Sequence, residues 1–266
     1  MRLAIRKRDV MTGKTYKARA VVLRKTKLGE KDLIVTLLDE SGQLVRAVAK
    51  GARKPGGSFA AKMELFSVVD VLLAEGRNLD VVAEARFASG RTPLQFDIDQ
   101  GACAAVVAEL VSTVALEGLP HPRLFSMTEA ALSQIAAASP ENALAITAAD
   151  LLKTLALVGF KPSFQQCVAC GDEVDLAGDA RSFKLSIADG GVVCGACQAP
   201  ADAILVDTNA LRWSETLLRA TFAEVSELGI QPSTSFSLLE LDRQWIQVHA
   251  GRRLKSLDFL FTSGLF

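Results

Sequence analysis

Hydrophobic and polar residues alternate in short runs over the first third of the chain and recur at helical spacing over much of the remainder. Ala18–Lys25, Asp32–Asp39 and Gln43–Lys50 are rich in β-branched residues of alternating polarity, which predicts strands with one buried face. Lys27–Glu30 and Glu40–Gly42 supply the turns between them. A longer loop, Gly51–Ser58, leads into a short stretch with helical character. Leu65–Ala74 and Leu79–Phe87 complete the set, with Glu75–Asn78 as a hairpin turn. Five short strands with a long third-to-fourth connection predict an OB-type barrel, with an SH3-like barrel as the rival.

After Pro93 the period becomes helical. Asp97 is placed to N-cap a helix reaching about Gly118, Pro122 opens a second to about Ala138, and Pro140 opens a third that Gly159 ends. Residues 163–200 break the pattern. Helical spacing resumes over Asp207–Leu228 and Ser235–His249, and a polar, basic tail, Gly251–Ser256, closes the chain. The predicted organisation is α+β and multidomain. It comprises a basic arm over 1–17, an OB-fold barrel over 18–90, a helical domain over 91–162 and 201–266, and a cysteine module inserted at 163–200.

Composition narrows the classes. Of 266 residues, 50% are hydrophobic and 23% charged, a globular balance rather than a disordered one. No apolar run is long enough for a transmembrane helix, and no apolar segment follows the basic N-terminus as a secretory signal requires. Lys+Arg and Asp+Glu both number 30, but residues 1–62 hold sixteen basic against five acidic residues, leaving fourteen against twenty-five for the rest. A split of +11 and −11 predicts a polyanion contact at the basic end. Two clusters carry it. Arg19, Arg24, Lys25, Lys27 and Lys31 surround the first strand and turn; Arg46, Lys50, Arg53 and Lys54 run from the third strand into the long loop. This suits a groove for a phosphate backbone. The region's aromatic residues are Tyr16, Phe59, Phe66 and Phe87, so binding is expected to be backbone-driven, salt-sensitive and weakly selective for sequence.

Cys167-x-x-Cys170-Gly171 and Cys194-x-x-Cys197 form two knuckles separated by 23 residues. Four thiolates in this arrangement can close a tetrahedral zinc site, which leaves no open position and is therefore structural. The spacer carries five acidic and two basic residues, which argues against a phosphate grip there. Cys103 stands alone on an apolar helical face and reads as a core residue.

Little supports catalysis. Gly51–Ser58 resembles a P-loop, but Gly57 stands where the phosphate-binding Lys belongs and Pro55 offers no N–H. No G-x-S-x-G elbow or G-x-G-x-x-G turn occurs. The two histidines, His121 and His249, lack metal-ligand partners at helical spacing, and the carboxylates are scattered. The chain reads as a binding protein, not an enzyme.

Taken in order, the motifs resemble a family. Val21–Arg24 with Gly29–Asp32, the basic loop Lys50–Lys54, Gly159-Phe160 and Pro162 before the first knuckle, Gly190–Val193 before the second, and His249–Ser256 are together similar to the RecO family of bacterial recombination mediators. The resemblance covers about residues 18–260. It implies binding of single- and double-stranded DNA, annealing of complementary strands, contact with the C-terminal tail of single-stranded DNA-binding protein, and action with RecR in loading RecA. It also implies a cytoplasmic, nucleoid-associated protein with structural Zn²⁺ on Cys167, Cys170, Cys194 and Cys197. The barrel cations named above other than Arg19 are the expected DNA contacts, with Arg252, Arg253 and Lys255 in a second rank. Arg91, Arg123 and Arg212 are candidates for the partner-tail site. The competing reading is an OB-fold and zinc-ribbon accessory factor of transcription or replication.

Overall fold

The computed structural model describes residues 14–54, 57, 59–88 and 94–266. It divides into two units, Met1–Glu40 with Leu44–Pro93, and Ser41–Gln43 with Leu94–Phe266.

The first unit is a closed barrel of β1 (Thr15–Leu28), β2 (Asp32–Asp39), β3 (Leu44–Ala49), β4 (Val68–Ala74) and β5 (Asp80–Phe87), in the order β1-β2-β3-β5-β4. This is the OB-like arrangement, and it follows from two features. The long β1 pairs with β4 through its first half and β2 through its second, sharing Ala20 and Val21 between both partners. A short parallel pairing, Ala47↔Asp80 and Val48↔Val81, joins β3 to β5 and leaves no open edge. Alternate residues fill the interior: Ala18, Ala20 and Val22 meet Val35, Leu37, Ala47 and Ala49 from β2 and β3, with Val69, Val71 and Leu73 from β4. β1 begins at Thr15, so the last residues assigned to the basic arm are barrel strand.

A bulge at Leu23 separates Val22↔Leu37 from Arg24↔Thr36. The extra residue moves the following side chains to opposite faces. The stretch expected to be helical after the long loop is a series of turns with one helical-type bond, Met63 N–H to Phe59 carbonyl at 2.9 Å. Met63 is fully buried in the barrel core. Phe66 has a positive φ of 68°, a conformation costing a side-chain-bearing residue about 1–2 kcal/mol. Burial of Phe66 and its N–H bond to the Val22 carbonyl, at 2.8 Å, offset that cost.

The second unit is built on α3 (Pro140–Leu157), which buries 12 of its 18 residues. Ser139 caps it and Pro140 occupies the first turn, where a missing N–H costs nothing. α1 (Ile98–Val114), α2 (Pro122–Ala137), α4 (Thr208–Arg219), α5 (Phe222–Glu227) and α6 (Pro232–His249) pack around it. The predicted helix over Asp207–Leu228 is broken after Arg219. Ala220 is extended, and Thr221 and Glu224 form a reciprocal capping box that starts α5. β6 (Ser182–Ser186), β7 (Gly191–Val193) and β8 (Ile204–Asp207) form a sheet in the order β7-β6-β8. β8 lies beyond residue 200, so this sheet is larger than the insertion read from the sequence. His249 of α6 reaches the Ile187 carbonyl with Nε2 at 2.8 Å, tying the sheet to the helices.

The segment read as a basic tail is folded. Leu254 is buried, and α7 (Lys255–Thr262) follows it. The Glu109 carboxylate of α1 accepts the backbone N–H groups of Lys255 at 3.1 Å and Ser256 at 2.7 Å, satisfying orphan donors at the start of α7.

The α3–α6 seam contains an unusual polar group. Asp150 is fully buried, and neither carboxylate oxygen has a hydrogen-bond partner among the described residues. Burial pushes its pKa up to about 7, against the lowering influence of the nearby Lys153 charge. Asp242 on α6 is also buried and pushed well up, by burial and then by the nearby Asp150 charge.

Candidate nucleic-acid interface and metal centre

Strand register sets the first part of the basic site. Arg24 pairs with Thr36, and Thr36 pairs with Arg46, so two exposed arginines flank one threonine in a row across β1, β2 and β3. At ordinary strand spacing their backbones lie about 10 Å apart. The bulge at Leu23 gives Arg24 its place in this row. Lys25 and Lys27 fall on the opposite parity, paired with Val35 and Leu33 at one end of the barrel.

The long connection brings the second cluster to that end. The Arg53 N–H donates to the Lys31 carbonyl at 3.0 Å, and its guanidinium donates to the Gly29 carbonyl at 2.7 Å. Gly51 N–H donates to Asp32 Oδ1 at 2.7 Å. Arg53 is therefore held against the β1–β2 turn, beside Lys31. The sequence clusters, separated by some twenty residues, form one basic rim.

Charge balance differs around the barrel. Arg19 and Arg86 share Asp70, at 3.1 and 3.5 Å. Lys25 is paired with Glu64 at 2.6 Å. Among the described residues, Arg24, Lys27, Lys31, Arg46, Lys50, Arg53 and Lys54 have no carboxylate within ion-pair distance. All seven are exposed. Among the described residues the β1–β2–β3 side thus presents cations outside ion pairs, whereas on the other side Asp70 is shared by Arg19 and Arg86.

The second-rank residues belong to the helical unit. Arg252, Arg253 and Lys255 are exposed, but Arg253 is bonded to Asp258 at 2.6 Å and Lys255 begins α7. Arg123 is exposed on α2. Arg212 donates to the carbonyls of Leu176 and Gly178 and so braces the loop of the cysteine module. Arg91 lies outside the described residues.

The four cysteines converge as their spacing predicts. Their sulfurs all lie within 4.8 Å of one another, and Cys170 Sγ is 3.7 Å from Cys194 Sγ. A tetrahedron with Zn–S bonds of about 2.3 Å has edges of about 3.8 Å, so the donors fit a Zn²⁺ ion. None forms a disulfide. The first knuckle turns at Gly171, whose N–H donates to the Cys167 carbonyl at 2.8 Å and whose φ is +81°. Val168 N–H to Val192 carbonyl, 2.9 Å, lays this knuckle on β7. Cys167 is buried, and N–H groups of Cys194 and then Cys170 point at its sulfur and hold its pKa below the ordinary thiol value. Close approach also explains Gly191: a Cβ there would sit 2.3 Å from the Ser163 carbonyl oxygen. Cys103 takes no part. It is wholly buried in α1, and burial pushes its thiol up to about 12.

Several contributors carry no local sequence signal. Thr36, Asp32, Glu64 and Arg212 act on partners brought near only by folding. No helix among the described residues is long and apolar enough to cross a membrane.

Comparison with known proteins agrees in both halves. The sequence model described as "Recombination protein O N terminal" matches residues 11–91, and that described as "Recombination protein O C terminal" matches residues 95–258. A Bifidobacterium longum protein named "DNA repair protein RecO" is 34% identical over 247 residues, covering 92% of this chain and 98% of that protein. A Desulfitobacterium hafniense protein of the same name is 30% identical over 245 residues, covering 91% and 87%. One from a Nocardioides species is 37% identical over 193 residues, covering 71% and 76%.

Proposed function

Since the chain belongs to the RecO family of recombination proteins, we propose that it acts in DNA repair as a mediator that binds DNA through its barrel and anneals complementary strands. The observation that carries this reading is the joined basic rim. Arg53 is fixed on the β1–β2 turn beside Lys31, and the Arg24–Thr36–Arg46 row lies on the adjacent strands. The strand face and the β1–β2 loop are where OB barrels take oligonucleotides.

The chemistry is electrostatic. Cations without carboxylate partners exchange counterions for phosphates, so affinity falls steeply with salt and responds little to base identity. Annealing follows from the same charge: a polycation screens the repulsion between two phosphate backbones and lowers the barrier to pairing. No bond is made or broken by the protein in this role, and it needs no turnover chemistry of its own.

Cys167, Cys170, Cys194 and Cys197 would hold structural Zn²⁺. It would fix the two knuckles on β7 and, through the neighbouring sheet, on α6. In this proposal the protein works in the cytoplasm with the nucleoid, together with RecR and the tail of single-stranded DNA-binding protein, in the loading of RecA; membership of the family supports the reading. The test is the double substitution Arg53→Glu with Lys54→Glu. Weaker oligonucleotide binding with a shallower salt dependence supports the rim as the DNA site, whereas unchanged affinity and unchanged slope overturn it.

A further inference from the structure

We propose that Glu64 is a built-in counter-anion at the basic rim: it holds Lys25 in an ion pair and so keeps it off a bound single-stranded phosphate backbone. This rests on the reading that the rim takes a phosphate backbone.

The pair is close, with Lys25 Nζ 2.6 Å from Glu64 Oε2. It is also open to exchange, since the Glu64 side chain is 63% exposed. Surface ion pairs are usually weak because two mobile side chains must be ordered together. Here the backbone on both sides is fixed. Lys25 stands in β1, paired with Val35. Met63, immediately before Glu64, is sealed in the barrel core. Phe66, two residues after it, is buried in a left-handed conformation and bonded to the Val22 carbonyl at 2.8 Å. Ser67 completes the clamp by accepting the Val22 N–H at 3.0 Å.

A strained residue that persists in a well-anchored segment marks a place where the backbone path matters. This path delivers a carboxylate to a lysine on the strand that also carries Arg24. A carboxylate and a phosphate compete for an ammonium group as the same kind of charge-assisted acceptor. Glu64 therefore lowers the number of cations available to DNA by withholding Lys25 from the phosphate backbone.

The test uses the full chain, a labelled single-stranded oligonucleotide and a salt series from about 50 to 200 mM. It compares the wild type with Glu64→Gln, Lys25→Gln and the double variant, with thermal melting to confirm that each is folded. Glu64→Gln is expected to steepen the slope of log affinity against log salt by about 0.7, or nearly threefold extra affinity for a fourfold drop in salt. Lys25→Gln is expected to change little by itself and to cancel the gain in the double variant. If Lys25→Gln alone flattens the slope as much as it does beside Glu64→Gln, Lys25 is already on DNA and the proposal fails. A wild-type slope and affinity for Glu64→Gln overturn it equally. Arg46→Glu separates the causes. If it weakens binding while Glu64→Gln does nothing, only the counter-anion role is lost; if it too does nothing, the rim is not the DNA site and both readings fall.

Discussion

Replacing Asp150 with Asn should flatten the pH dependence of the helical unit's stability. The carboxyl is sealed between α3 and α6, and both of its oxygens lack hydrogen-bond partners among the described residues. Burial holds its pKa at about 7 rather than the ordinary 3.8. That difference corresponds to about 4 kcal/mol between its two protonation states. The direction follows from proton binding. Below pH 3.8 the folded and unfolded chains both hold the proton and the penalty is absent. Between 3.8 and about 7 only the folded chain holds it, so stability falls as pH rises, and above about 7 the loss is complete. From pH 5.5 to 8 this group alone should cost the wild type about 2 kcal/mol. Urea denaturation followed by tryptophan fluorescence is a clean assay because both tryptophans, Trp213 and Trp245, lie in the helical unit. Asp242 is present in both proteins and feels the Asp150 charge, so the difference between the two pH profiles reports Asp150 together with its effect on Asp242. Asn brings its own packing cost, but that displaces the profile without tilting it. Parallel profiles for the wild type and Asp150→Asn would refute the assignment of a neutral buried carboxyl.

The other predictions concern the metal and the fold. Protein purified without chelator should contain about one zinc per chain by elemental analysis, and Cys194→Ser should lose it; metal-free wild-type protein would refute the assignment. The same substitution should lower the stability of the helical unit while leaving low-salt oligonucleotide affinity within about twofold, as measured by polarisation. Glu109→Ala should destabilise the docking of α7 by about 1–3 kcal/mol, because two backbone N–H groups lose their carboxylate. Hydrogen exchange at Lys255 and Ser256 would report it, and unchanged protection would contradict the capping role.

The barrel was legible because its information is local. Alternation in Asp32–Asp39 gives the bounds of β2, and the other four strands lie within a few residues of their expected ends. The cysteine site was legible because two knuckles of fixed spacing leave few ways to arrange four thiols. What escaped depends on residues distant in sequence. The start of α7 is capped by Glu109, on another helix, so the basic residues before it read as a tail. Arg212 and Leu176 are 36 residues apart, and Lys25 and Glu64 are 39 apart. The bulge at Leu23 is absent from the hydrophobic pattern because Val21, Val22 and Leu23 are all apolar, yet it determines which side of β1 Arg24 faces. The break between α4 and α5 was visible in principle. Thr221 and Glu224 spell a capping box, but the apolar spacing continues across it.

Binding of a labelled single-stranded oligonucleotide across a salt series, followed by mixing with its complement, tests the central claim most directly. The basic rim predicts affinity that falls steeply with salt and pairing that is faster with the protein than without it. Absence of binding at low salt would show that the rim serves some other partner, and binding without faster pairing would remove annealing from the account.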